Sequence, residues 1–438
     1  MGSIYEKLKD QLVSIKDKGA FYIFFGNFTI KFIAFFGSVF IVGILSKDEY
    51  GTLGYVENLF SYAYLFAGLG MTNALLRYVV LADTLQEKKQ YYSYIISRSF
   101  IFNIFLVAIA CVVAILYPHP EGFKPATFLL PLLLLSLPFH SLVDSNTCLY
   151  RAMFNNKRFA LATCITASSI IVTKYILARF FSLPGAVFAS LAVYSVVAVV
   201  LCLAVRRRFF AGVEKAPPLI REQKNTVIKY SLQYMVTNGI WALFMLNDIF
   251  LLGRLTKDAS VASVVANYKV AYVFPGNLSL ISTSIGVLVA PFFVRRESDY
   301  PWVRKAYKKT YLATAGIVLC AVLVLYIFAE PLISLLYGEN YIDAVPVMRV
   351  LLIAAFINNG IRYTNAHLLS SMGQVKYNMY ISLAGVLMQV AINIQVIPRF
   401  GAIGVAYTSV GVYSLMAIAL LIVFYNKYFR NTPNKTLG

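Results

Sequence analysis

Apolar runs, each long enough to cross about 30 Å of hydrocarbon as a helix, recur along nearly the whole chain. They lie near 20–45, 53–80, 95–117, 127–149, 159–180 and 184–205. A second set lies near 230–254, 261–292, 310–329, 345–371, 377–397 and 401–425. Hydrocarbon offers no water to backbone N–H and C=O groups, so such runs must satisfy them internally, as helices. The expected fold class is therefore an all-α integral membrane protein of about twelve transmembrane helices. A mean hydropathy of +0.71 agrees, being too apolar for a water-soluble chain of 438 residues. The formal net charge of +20 would point to nucleic acid in a soluble protein. Here the charge sits between the apolar runs, where membrane insertion collects Lys and Arg, and no nucleic-acid partner is expected.

Those loops set the orientation. With the N-terminus inside, the cytoplasmic loops carry Lys88 and Lys89, then Arg151, Lys157 and Arg158, then Arg206, Arg207, Arg208 and Lys215. Later ones carry Arg295, Arg296 and the stretch Arg304 to Lys309, then Lys376, and a tail with Lys427, Arg430 and Lys435. Roughly 27 basic residues then fall inside against about 6 outside, so both termini are expected in the cytoplasm. Residues 1–19 place Ile4, Leu8, Leu12 and Ile15 along one helical face among Lys7, Lys9, Lys16 and Lys18. That pattern predicts an interfacial helix on the inner leaflet and no cleavable signal peptide. The longest external loop, 330–344, is too short to fold as a catalytic domain. Cys111, Cys148, Cys164, Cys202 and Cys320 all lie in apolar runs without metal-site spacing, and His119, His140 and His367 are scattered. No metal, cofactor or catalytic residue is expected.

The chain repeats itself about its middle. Leu45-Ser46-Lys47-Asp48 after the first span recurs as Leu255-Thr256-Lys257-Asp258 after the seventh. Gly185-Ala186-Val187-Phe188 leading to Tyr194-Ser195 matches Gly404-Val405-Ala406-Tyr407 leading to Tyr413-Ser414. Lys157-Arg158-Phe159 aligns with Val375-Lys376-Tyr377. Six spans per half is an even number, so two pseudo-symmetric lobes insert with the same orientation. The predicted organisation is an interfacial segment at 1–19, an N-lobe at 20–205 and a cytoplasmic linker at 206–229. A C-lobe at 230–425 and a tail at 426–438 follow. Paired bundles of this kind suit alternating-access transport.

Charged groups at membrane depth cost several kcal/mol, so those present are expected to face protein or water. Asn27, Lys31 and Ser38 share one face of span one, and His140, Asp144 and Thr147 one face of span four. Asn358, Arg362 and Asn365 repeat the latter spacing in span ten. Lys174 lies in span five, Gln233, Thr237 and Asp248 in span seven, and Asn378, Ser382 and Gln389 in span eleven. With Arg77 and Lys269 near span ends, the sum is a cavity richer in cations than anions, which suits a phosphate or diphosphate. Internal pairing of Asp144 or Asp248 with Lys31, Arg362 or Lys174 is the competing reading. Gly68-Leu69-Gly70 and Pro275-Gly276-Asn277 predict breaks in spans two and eight. Trp241, on the polar side of span seven, is a candidate for stacking on sugars.

Leu45 to Gly54 (LSKDEYGTLG), Gly68 to Arg77, Asn247-Asp248-Ile-Phe-Leu-Leu-Gly253, Ala266 to Ala271 and Pro331 to Gly338 (PLISLLYG) form a further pattern. Together with the Gly-Ala and Gly-Val starts of spans six and twelve, it resembles the polysaccharide (O-antigen type) flippases of the MOP exporter superfamily. The resemblance implies a pair of six-helix lobes in a bacterial cytoplasmic (inner) membrane, without enzymatic activity. Its cargo would be a polyprenyl-diphosphate-linked oligosaccharide, carried from the cytoplasmic to the outer leaflet. Carried over to this chain, substrate binding falls on Lys31, Lys174 and Arg362, with Arg77 and Lys269 behind them. Asp248 and Asp144 would take part in coupling to H+ or Na+ or in gating, and Asn27, His140, Asn358 and Asn365 would line the cavity. Membrane lipids and other polysaccharide-assembly proteins are the remaining expected partners. Lipid II flippases carry two further helices, for which these runs leave no room.

Three other functions compete. A multidrug exporter of the same superfamily calls for an acidic cavity. A membrane-embedded glycosyltransferase or polymerase needs a sizeable external loop, and Glu330, Glu339 and Asp343 occupy a short one. A non-transporting scaffold predicts that the deep basic residues are dispensable.

Overall fold

The computed structural model describes residues 20–214, 217–257 and 260–430, which form helices joined by short turns and connections, with no strand among them. The predicted interfacial helix at 1–19 and the tail beyond residue 430 lie outside the described residues, as do the side chains of Asn27 and Trp241. Among the described residues seven helices are long and apolar enough to cross a membrane, or up to nine if each of two bent pairs counts as one span. Large apolar side chains on their outer faces stand open, Leu116 at 75% and Phe180 at 76% exposure, as befits contact with lipid rather than water.

In the first half, α1 (Ala20–Val42) packs along the early part of a long helix, with Gly26 against Ala160 and Gly37 against Ile171. Helix α2 (Lys47–Tyr64) opens with a reciprocal capping box between Ser46 and Glu49. The break expected at Gly68-Leu69-Gly70 is present. All three residues have positive φ, a short 3-10 turn replaces the α-helix, and α3 (Met71–Leu81) leaves at a bend of 50°. The Gly68 amide donates to Asn103 Oδ1 (2.6 Å), and the glycine sits so close to Ser99 that a side chain would collide. Helix α4 (Leu85–Leu116) precedes a span divided at Ser136 into α5 (Ala126–Leu134) and α6 (Leu137–Ala152). The 54-residue α7 (Asn156–Phe209) would measure about 80 Å if straight, more than twice a bilayer core. It is broken near its middle, where Ser182 adopts φ 52°, ψ −136°.

The second half begins within α8 (Arg221–Leu255), which is bent by 48° between Ile240 and Ala242. Helices α9 (Val261–Asn277) and α10 (Ser279–Arg295) follow. Here the break expected at Pro275-Gly276-Asn277 is mild: Leu278 keeps helical angles (φ −61°, ψ −21°), and the two helices form one apolar run. A proline accommodated with helical neighbours bends the chain far less than three consecutive left-handed residues. Helices α11 (Tyr300–Ile327), α12 (Ala329–Tyr337) and α13 (Ala344–Ala355) lead into a π-helix over Phe356–Arg362. Then come α14 (Tyr363–Ser371) and the 51-residue α15 (Val375–Tyr425), broken at Gly401 with φ 53°, ψ −137°.

Chain contacts divide the molecule into two compact units between Gly239 and Ile240, so the boundary falls inside α8 rather than in the expected linker at 206–229. Residues of that linker and of early α8 belong to the first unit. Lys89 Nζ donates to the Val213 carbonyl (2.6 Å), Gln90 Nε2 to that of Pro217 (2.5 Å), and Arg77 lies over the Tyr230 ring at 5.2 Å.

The internal repeat is written in the backbone. Ser182 and Gly401, 219 residues apart, share one unusual pair of dihedral angles. Phe154 (φ 56°) and Gly373 (φ 77°), the same interval apart, both turn the chain after a helix end. The following amides close the same long bond in each half, Asn155 N to Tyr150 O and Gln374 N to Leu369 O, both 2.8 Å.

Candidate functional site

Within the first unit two of the charged groups at membrane depth, Lys174 and Asp144, have side-chain partners of their own. Lys174 Nζ stands 2.7 Å from Glu57 Oε1, with side-chain exposures of 17% and 33%. This is internal pairing of the expected kind with an unexpected partner: Glu57, inside span two, is an acid the sequence reading passed over. Asp144 accepts a short hydrogen bond from the Tyr64 hydroxyl rather than meeting a base. His140 stacks between Tyr64 (4.4 Å) and Tyr194 (4.0 Å), with Phe60 beyond, so its ring is a packing element of an aromatic column. Thr147 bonds its own helix at the Asp144 carbonyl. Lys31 is half-buried on α1, and Arg77 is exposed at the end of α3, stacked on Tyr230.

Two buried polar centres lie in the second unit. Asp248, 8% exposed on α8, accepts hydrogen bonds from the Tyr268 hydroxyl (2.7 Å), Gln389 Nε2 (2.9 Å) and Asn393 Nδ2 (3.1 Å). Three neutral donors from α9 and α15 thus hold one carboxylate, a group that can exchange a proton or receive a small cation. Arg362, 3% exposed, ends the π-helix. Its Nε donates to Asn358 Oδ1 (2.6 Å), and its guanidinium lies 5.9 Å from the centre of the Tyr413 ring. Lys269 is half-buried on α9.

Asn365 does not join Arg362. It accepts from the Tyr307 hydroxyl (2.8 Å) and donates to the Ile361 carbonyl (2.8 Å), a helix-to-helix clamp in the core. The first unit carries the same clamp: Asn146 accepts from Tyr92 (2.9 Å) and donates to Leu142 (2.8 Å). The repeat partner of Asn365 is therefore Asn146, one place from the Thr147 that side-chain spacing suggested. A shared register also places Lys174 opposite Asn393, again 219 residues apart. The fifth helix of one half and its counterpart in the other each send a donor from this position to an acid.

Lys31, Lys174 and Arg362 thus separate: Arg362 is buried and bonds the Asn358 amide, Lys174 is paired to an acid, and Lys31 is half-buried without an ion pair among the described residues. Tyr268, Asn393 and Tyr413 are the site residues that sequence reasoning missed. Tyrosines abound in this chain, and nothing in the spacing marks these as partners of a charge. Among the described residues no group of three His, Cys, Asp or Glu side chains is placed to hold a metal ion.

The family described as "Polysaccharide biosynthesis protein" matches residues 41–346. An uncharacterized membrane protein of Methanocaldococcus jannaschii is 23% identical over 94% of this chain and 84% of its own length. Among solved structures, the lipid II flippase MurJ in an inward closed conformation aligns with a TM-score of 0.73 at 15% identity, over 92% of this chain and 87% of that one. An inward-facing MATE-family multidrug resistance transporter of the MOP superfamily gives 0.71 at 15% identity, over 91% and 94%. A MOP-superfamily transporter from Pyrococcus furiosus, described as having a binding pocket of reversed polarity, gives 0.66 at 15% identity, over 95% and 96%. The fold is that of multi-pass MOP-superfamily transporters, and the chain belongs to the polysaccharide biosynthesis protein family.

Proposed function

We propose that the protein flips a polyprenyl-diphosphate-linked oligosaccharide from the cytoplasmic to the outer leaflet by alternating access. The family match supplies the pathway class, and the fold supplies a scaffold found in a flippase and in exporters. The observation that carries the choice of cargo is Arg362, a cation buried inside a membrane-spanning run and held by an amide oxygen and an aromatic face. A guanidinium presents five donors in a planar fork that matches phosphate oxygens, so it can neutralise a diphosphate on its way across. Lys31 is the second substrate contact in this reading, with Arg77 and Lys269 nearer the entrances. Asp248 carries the coupling ion, H+ or Na+. Twelve crossings follow if each half of α7 and α15, each bent pair and α1 counts once, with both termini cytoplasmic by the positive-inside rule.

The paired acids weigh against the multidrug exporter. Asp144 is bonded to Tyr64, and Glu57 lies against Lys174, so neither is presented to a cationic drug. The test is flipping of a fluorescent polyprenyl-diphosphate oligosaccharide in proteoliposomes. Arg362→Ala and Lys31→Ala should each lose at least about tenfold in rate, the equivalent of one charge-assisted contact, and Arg362→Lys should fall between. Full transport by Arg362→Ala, with the protein folded, refutes the assignment. Failure of the wild type with the matching glycan refutes the function.

A further inference from the structure

Across the fourth and tenth crossings the second half gains one residue on the first. Immediately ahead of these crossings the halves run 218 residues apart. The 3-10 turn Glu121–Phe123 matches Glu339–Tyr341, with equivalent amide bonds from Phe123 to Pro120 and from Tyr341 to Gly338. The crossings themselves start at Ala126 and Ala344. Downstream the interval is 219, fixed by the turns at Phe154 and Gly373, the helix starts at Asn156 and Val375, and the breaks at Ser182 and Gly401. The fourth crossing, Ala126–Ala152, has 27 residues, and the tenth, Ala344–Ser371, has 28. The tenth is the one that contains the π-helix, where the Tyr363 amide reaches back to the Asn358 carbonyl.

We infer that the π-turn Phe356–Arg362 is a one-residue insertion that creates the Arg362 site, and that Ser282 is the positioning residue that keeps it open. An added residue cannot be absorbed by an α-helix pinned at both ends, so it widens one turn to i→i+5 bonding. Widening upsets the carbonyl pairing inside the turn, and buried carbonyls need donors. Ser282, 1% exposed on α10, donates its hydroxyl to the Asn359 carbonyl within the turn (2.8 Å). At Gly360 the widened turn lies against Ala315 of α11, where a Cβ would make an ordinary 3.5 Å contact with the Ala315 backbone and a tight 3.1 Å contact with the Phe356 ring. The turn spaces Asn358 and Arg362 so that amide oxygen meets guanidinium at 2.6 Å. The equivalent helix of the first half has no such turn, and its polar pair is Tyr64 with Asp144.

This inference rests on the proposed anion-binding role of Arg362. Its test deletes Gly360 from the full-length protein and, separately, replaces Ser282 by Ala and by Thr. The probe is farnesyl diphosphate, with its Kd measured in detergent, alongside flipping and thermal unfolding. A residue deleted from a membrane helix ordinarily turns everything beyond it by about 100°. Here the shortened helix should match its 27-residue counterpart and unfold within a few degrees of wild type, while the Kd rises tenfold or more. Ser282→Ala should raise the Kd several-fold at unchanged maximal flipping rate, and Ser282→Thr, which keeps the hydroxyl, should restore it. A wild-type Kd in the folded deletion variant, or in Ser282→Ala if the deletion variant does not fold, overturns the inference. Equal losses in Ser282→Ala and Ser282→Thr do so too. Should Arg362→Ala itself keep a wild-type Kd, the functional reading fails as well. If only Arg362→Ala weakens binding, that reading stands and the role of the turn is refuted.

Discussion

Replacing Glu57 by Gln removes the acid that holds Lys174 at 2.7 Å and tests whether that lysine serves structure or substrate. At an effective dielectric near 20, unit charges about 4 Å apart attract by about 4 kcal/mol, and desolvation of both groups offsets part of this. Breaking a fully buried pair costs about 3–5 kcal/mol because the survivor is left uncompensated. Side-chain exposures of 17% and 33% leave some access to water, so the expected cost is nearer about 2–3 kcal/mol. For a lobe of about 200 residues that corresponds to a drop of roughly 4–12 °C in unfolding temperature. Lys174→Met leaves Glu57, the more exposed partner, and should cost less. The double variant Glu57→Gln with Lys174→Met should recover at least about 1 kcal/mol, giving a clear coupling energy in a double-mutant cycle. Thermal unfolding in detergent supplies the cycle, and flipping in proteoliposomes supplies the functional arm. If the pair is structural, the double variant transports with the wild-type KM. Additive single effects, within about 0.5 kcal/mol, refute the pairing argument. A stable double variant that no longer transports returns Lys174 to the substrate.

Asp248→Asn keeps an acceptor for Tyr268 and should fold, yet lose the dependence of flipping on an imposed H+ or Na+ gradient; an unchanged gradient response refutes a coupling role. Tyr92→Phe and Tyr307→Phe each strand a buried asparagine oxygen and should cost about 1–2 kcal/mol apiece, with the two values agreeing if the clamps are equivalent. Gly401→Ala should destabilise by about 1–3 kcal/mol, since φ 53° with ψ −137° is strained for any residue with a Cβ. Ser182→Gly should come out near zero, because relief of that strain is set against loss of the Ser182 hydroxyl bond to Glu49 (2.5 Å); a large stabilisation shows that this bond contributes nothing. Urea or thermal melts decide these last cases.

Apolar run length made the helical membrane fold legible, because hydrocarbon leaves the backbone one solution. The repeat was legible too, but its register was not. Spacing matched Asn365 with Thr147, whereas the Tyr307 and Tyr92 clamps match it with Asn146. A one-residue insertion absorbed by a π-turn leaves no mark in hydrophobic periodicity, since both sides of the turn keep their own α-period. The paired breaks were half legible. Gly68-Leu69-Gly70 became a sharp bend, while Pro275 sits in a helix that continues past it, and the matched breaks at Ser182 and Gly401 carry different residues in the two halves. Of the deep charges, the sequence marked Asp144, Lys174, Asp248 and Arg362, and of their partners Asn358 and Gln389, but not Glu57, Tyr64, Tyr268 or Asn393. Partner choice depends on how helices pack, and Glu57, Tyr64, Tyr268 and Asn393 each come from a different helix than the charge they meet.

The comparison of the halves separates scaffold from site. Where both halves carry the same device, such as the Tyr–Asn clamp or the break at Ser182 and Gly401, a role confined to one substrate contact or one coupling ion is excluded, because those operate once per molecule while the device occurs twice. Where the halves place different chemistry on matched backbone, packing does not dictate the choice. The Lys174 and Asn393 position is one case, sending a cation to Glu57 in one half and a neutral amide to Asp248 in the other. The Arg362 position is the second, and there the backbone itself has been altered to make room. A buried guanidinium and a widened helical turn each cost stability, and a transport-inert scaffold has no use for either at one position. Their coincidence at Arg362 is the strongest reason to seek the substrate phosphate there before anywhere else in the chain.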